Sequence, residues 1–128
     1  MAWTSFFKKL FGTETNNTAT DLTTAADSAH RNENLSGKAF KKQLEDSKKA
    51  VLLDVRTAGE FGQGSLSKAR NVDYMSASFA QKIEKMDKNA TYFLFCRSGN
   101  RSGQACKLMH KQGFDVRNLS GGIGSFPS

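Results

Sequence analysis

The chain has 128 residues, 38% of them hydrophobic, which suits one domain burying about two thirds of its unfolded surface. Its unbroken apolar runs are far shorter than the ~18 residues needed to cross a bilayer as a helix. Its two cysteines, separated by nine residues, are too few for a disulfide-stapled secreted scaffold and lack paired zinc-site spacing. No metal and no organic cofactor is expected, and a reducing, cytoplasmic compartment is the default. The net charge of +7 sits unevenly, with three Lys/Arg against four Asp/Glu in residues 1–34 and sixteen against eight in residues 35–128. This excess favours anionic partners. The basic residues form pairs, such as Lys41-Lys42 and Lys48-Lys49, rather than a run, so nucleic acid is not the expected partner.

In chain order, Trp3, Phe6, Phe7, Leu10 and Phe11 fall at i, i+3, i+4, i+7 and i+8, an amphipathic helix pattern. Lys8 and Lys9 interrupt it too early for a signal peptide. Such a stripe suits a membrane interface or a partner, or it packs on the protein's own core. Residues 12–34 are rich in Thr, Asn, Ala, Ser and Asp, with a short helix conceivable over 21–30, and read as a flexible tether. The division expected is therefore 1–34 for this segment and linker, and 35–128 for the folded domain.

From Leu35 the texture changes. Ser36 reads as a helix N-cap, with Leu35 stapled onto Phe40. The run 50–55 (AVLLDV) predicts a strand buried on both faces of a parallel sheet, followed by a helical turn at 59–63 and a short strand at 70–74. Phe79, Ile83 and Met86 share a helical face within 76–86, and TYFLF at 91–95 predicts a second buried strand. A helix over 102–112 carries Ala105, Leu108 and Met109, Gly113 ends it, and 114–119 supplies a last strand before Gly121-Gly122. Strands alternating with helices across short loops predict an α/β fold with a mostly parallel sheet.

Ligands in such sheets collect at the carboxyl ends of strands, and Cys96 stands there. The loop that follows, Arg97, Ser98, Gly99, Asn100, Arg101 and Ser102, has a glycine able to turn successive N–H groups inward as an anion nest. The following helix adds positive dipole and the two arginines add charge. All three effects favour a thiolate, here activated without a neighbouring histidine. Cys106, inside the next helix, reads as core filler, and His110 as a favourable charge near that helix's C-terminus.

These residues, with Leu53-Asp54-Val55-Arg56, Glu60-Phe61, Ala69-Arg70-Asn71-Val72 and Leu119-Ser120-Gly121-Gly122-Ile123, resemble the single-domain rhodaneses, the thiosulfate sulfurtransferases, over about residues 35–126. The resemblance implies a central parallel five-stranded sheet and a catalytic Cys96 that alternates between thiolate and persulfide. Backbone amides of Arg97 through Ser102 would then hold the persulfide, and Arg97 and Arg101 would attract thiosulfate. The acceptor would be cyanide, a thiol or a protein thiol. Asp54, Arg56 and Glu60 would hold the turn after their strand, unless they form an ordinary surface ion pair. A monomer is expected.

The chain departs from the family where Gly64-Ser65-Leu66-Ser67-Lys68-Ala69 replaces a Gly-His-Ile-Pro-Gly-Ala stretch, which implies a weaker turn. Phe126 stands in place of a tryptophan, which implies a more open wall to the site. Two rival functions share the fold. A non-catalytic binding or scaffold module would be indifferent to Cys96→Ser. Cysteine phosphatases and arsenate reductases place one more residue between nucleophile and arginine than the four between Cys96 and Arg101, so the tighter ring here suits one sulfur better than a tetrahedral oxyanion.

Overall fold

In a computed structural model that describes residues 30–128, strands and helices alternate along the chain. They are β1 (Asn32–Leu35), α1 (Gly37–Asp46), β2 (Ala50–Asp54), α2 (Ala58–Gly62), β3 (Arg70–Asn71), α3 (Phe79–Glu84), β4 (Thr91–Phe95), α4 (Asn100–Lys111) and β5 (Asp115–Leu119), then a 3-10 turn at Ile123–Ser125. The strand order is β1-β5-β4-β2-β3, and every pairing is parallel. The expected α/β fold with a five-stranded sheet between helices is present. The amphipathic stripe of Trp3 through Phe11 and most of the polar stretch behind it lie outside the described residues. Among those described, no helix is long and apolar enough to cross a membrane.

Both faces of the central strands are covered, which is why AVLLD and TYFLF run apolar without alternation. One face packs Leu53, Leu94 and Val116 against Phe79 and Ile83 of α3 and Ala105, Cys106 and Met109 of α4. The other packs Leu52, Phe93, Phe95 and Leu119 against Phe40 of α1, whose ring meets that of Phe93 edge-on at 5.4 Å. Ser36 caps α1 by accepting the Ala39 N–H at 3.2 Å, and Leu35 joins the cluster around Phe40. Phe126 turns to the same cluster, edge-on to Phe40 at 6.2 Å, and so belongs to this layer.

Two expectations need correction. The polar stretch does not run to Asn34, because Asn32–Leu35 forms β1, paired with β5 from Asn32 opposite Val116 to Leu35 opposite Leu119. An edge strand takes its ladder bonds from its neighbour's backbone, so NENL needs no apolar periodicity to join the sheet. The last helix begins at Asn100 rather than Ser102, since Gly99, at φ 96°, serves as its left-handed N-cap. Asn100, Arg101 and Ser102 therefore form its first turn.

Lys68 carries φ 70°, alone among the described non-glycine residues. It occupies the position of the second glycine in the Gly-His-Ile-Pro-Gly-Ala stretch, so a left-handed backbone is carried here by a residue poorly suited to it. Lys68→Gly is expected to raise stability by about 0.5–1 kcal/mol, the left-handed penalty less the extra chain entropy of glycine. A urea midpoint that falls in this variant would refute that account.

Candidate active site

The parallel register sets Asp54, the last residue of β2, opposite Phe95, the last of β4. Two chain reversals thus emerge side by side at the carboxyl edge of the sheet. After β4, Cys96 is followed by only Arg97, Ser98 and Gly99 before α4 begins. This tight turn brings three donors onto the Cys96 Sγ: the Gly99 N–H at 3.1 Å, the Ser102 N–H at 3.4 Å and the Ser102 hydroxyl at 3.4 Å.

The tail beyond β5 holds the turn from behind. A side chain on Gly99 would run into the Ser120 carbonyl, and one on Gly122, itself at φ 78°, would run into the Arg97 carbonyl. The Ile123 N–H donates to the Cys96 carbonyl at 2.8 Å. Gly122, the second of the paired glycines read from the sequence, is thus part of the loop's supporting wall.

Cys96 is only 1% exposed, and both cysteines are free thiols. Burial pushes the Cys96 thiol up, but bonds from the Ser102 hydroxyl and the amides of Ser102 and Gly99, helped by the nearby Ser98 amide, outweigh it, leaving the thiol below its ordinary 9.0. Cys106 receives no such donors, and burial pushes it up to about 12. Identical chemistry at two buried positions is separated by where the amides point.

One of the two arginines is engaged elsewhere. Arg101 does not stand free over the sulfur. Its guanidinium grips Glu60 in a two-pronged bond, Nη1 to Oε1 at 2.9 Å and Nη2 to Oε2 at 3.2 Å. The helical start at Asn100 carries Arg101 towards α2, where Glu60 pairs with it. Arg97 is exposed. The donors that favour a thiolate at Cys96 are chiefly hydrogen bonds, with Arg101 a more distant influence. Nor do all the loop amides face the sulfur, since the Asn100 N–H turns to the Ser98 hydroxyl at 3.4 Å.

Asp54 and Arg56 are buried, at 0% and 8% exposure, so an ordinary surface pair is not what they form. The Asp54 carboxylate accepts from Arg56 Nη2 at 2.7 Å and from the Ser65 hydroxyl at 2.7 Å, and Arg56 also donates to the Gly64 carbonyl at 2.7 Å. The turn at Gly64-Ser65 is thereby fastened to the end of β2, with Ser65 filling the place of the missing histidine. Asn71 ties the same strand end from the other side by donating to the carbonyls of Asp54 and Arg56. Glu60 serves a different junction. It completes a capping box with Thr57 and bridges α2 to the first turn of α4.

Bonds from Arg101 and Thr57 hold the Glu60 carboxyl at about 2, against its ordinary 4.5. A depressed carboxyl stabilises the fold above the unfolded value and loses that contribution as pH falls through the folded one. The melting-temperature difference between wild type and Glu60→Gln is therefore expected to be full above pH 4.5 and to shrink towards pH 2. A difference independent of pH would contradict it.

The Ser102 hydroxyl, Ser65, Asn71 and Asn118 escaped the sequence reading as individual contributors. Only Ser102 carried a signal, as a hydroxyl at the expected start of the helix that follows Cys96.

Comparison with known proteins bears on this arrangement. Residues 36–127 match the rhodanese-like domain. The chain belongs to the rhodanese-like domain family. Among relatives of this rhodanese-like domain, YtwF of Bacillus subtilis is 35% identical over 89 residues, covering 70% of this chain and 84% of YtwF. A protein of Allochromatium vinosum named sulfurtransferase is 31% identical over 90 residues, covering 70% of this chain and 82% of its own. The crystal structure of a rhodanese-like domain protein from Staphylococcus aureus superposes with a TM-score of 0.65 at 24% identity, covering 75% of this chain and 92% of that one, which supports the fold.

Proposed function

We propose that this rhodanese-like domain is a sulfurtransferase that carries a sulfane sulfur on Cys96. Relatives that include a named sulfurtransferase support the general role. The observation that carries the reading for this chain is the set of three donors converging on one buried Sγ.

The chemistry balances without a cofactor. The Cys96 thiolate attacks the outer sulfur of thiosulfate, forming an S–S bond as the donor's own S–S bond breaks and its electron pair leaves with sulfite. The persulfide terminates in an anionic sulfur, for which inward amides are suitable partners. A thiophilic acceptor, cyanide or a thiolate, then takes the outer sulfur and returns the pair to Cys96, a ping-pong cycle. Burial of Cys96 requires the donor to present its terminal sulfur end-on. A persulfide of another protein would satisfy the same geometry. Phosphatase chemistry is less well served, because Glu60 occupies the arginine that an oxyanion would need.

Intact mass after thiosulfate treatment tests the reading. The expected result is a gain of one sulfur atom, removed by cyanide or a thiol. A protein that gains none, from thiosulfate or from a persulfide donor, refutes it.

A further inference from the structure

The loop that grips Cys96 is itself gripped by a residue on the last strand. Asn118, 3% exposed near the end of β5, donates from Nδ2 to the Gly99 carbonyl at 3.3 Å and to Asn34 Oδ1 on β1 at 2.8 Å. The same Gly99 carbonyl accepts the Gly103 N–H at 3.0 Å, the opening bond of α4.

We propose that Asn118 is a positioning residue whose amide fixes the Gly99 unit so that the Gly99 N–H faces the Cys96 sulfur. Gly99 has no side chain to steady it at φ 96°, and its carbonyl, in the peptide plane after the one that carries its N–H, is held by Asn118 together with the Gly103 N–H, which limits the rotation about Gly99 that would turn the N–H away. Asn34 fixes the amide in turn, so the edge strand β1 contributes to the site without touching it.

A second feature separates this role from simple packing. Asn118 Oδ1 is buried without a hydrogen-bond partner, a destabilising arrangement. Packing alone would favour leucine, which has nearly the same shape and no orphaned oxygen. What distinguishes asparagine from leucine at this position is its pair of Nδ2 donors, to Asn34 and to the Gly99 carbonyl.

The inference rests on the reading of Cys96 as the sulfur carrier, but iodoacetamide alkylation against pH measures it without any sulfur donor, so the two fail separately. In Asn118→Leu the alkylation midpoint is expected to rise by about half a unit to one unit, the scale of one weakened hydrogen bond to the thiolate. Asn34→Ala, at an exposed position, is expected to raise it less, and to add nothing in the Asn118→Leu background. Gln104→Ala, on the same polar groove as Asn118 and Asn34, is the control and should leave the midpoint unmoved. Arg101, Glu60 and Cys106, the charged or titratable groups around Cys96, stay in place throughout. An unchanged midpoint in folded Asn118→Leu overturns the proposal, as does an equal shift in Gln104→Ala. Should Asn118→Leu not fold, Asn34→Ala decides: a raised midpoint supports the role and an unmoved one overturns it.

Discussion

Cys96→Ser is expected to lower sulfur transfer by about three orders of magnitude or more while leaving the fold intact. Oxygen is smaller than sulfur and sits closer to Cβ, so the serine fits without a clash, and its lone pairs face the same Gly99 and Ser102 donors; the wall behind the loop has no reason to move. A serine hydroxyl, however, is not ionised near neutral pH and forms no persulfide. The matching substitution Cys106→Ser should retain transfer, because that thiol is pushed up to about 12 and faces no donors. Intact mass and cyanide-coupled turnover check both variants. Loss of transfer in Cys106→Ser with retention in Cys96→Ser would reverse the assignment of the nucleophile.

The largest stability effect is expected from Asp54→Ala, at about 3–5 kcal/mol. Removing a fully buried carboxylate strands the Arg56 guanidinium in a site it cannot easily leave, because Nη2 is also bonded to the Gly64 carbonyl. The Arg56 N–H and the Ser65 hydroxyl lose their acceptor at the same time. Unfolding in urea measures the loss, and a change below about 1 kcal/mol would show that water reaches Arg56 more freely than its burial implies. Glu60→Gln should be milder, since both partners of that bridge are part-exposed.

These two variants separate two junctions that the sequence reading joined. Asp54, Arg56 and Glu60 lie close in the chain and were grouped as one turn-holding set. In space, Asp54 and Arg56 fasten the turn at Gly64-Ser65, whereas Glu60 reaches to Arg101 and steadies the cysteine loop. An arginine in an anion-binding loop reads naturally as a ligand for the anion. The sequence contains no statement of which carboxylate will reach that arginine first.

The sequence by itself determined the alternating α/β elements, the two doubly buried strands and the position of Cys96 at a strand end. It also determined the glycine that lets the next amides turn inward. Apolar runs, caps and turn residues act over a few neighbouring positions, so they are legible in order along the chain. Only the tertiary structure decided that β1 joins the sheet, that Glu60 captures Arg101 and that Ser102 supplies a hydroxyl to the sulfur. It alone brought Asn118 behind Gly99, nineteen residues away in the chain. Each of these is a polar contact fixed by direction and distance between separate elements. Hydrogen bonds of that kind leave no periodicity in the residues that make them, whereas burial of apolar faces does.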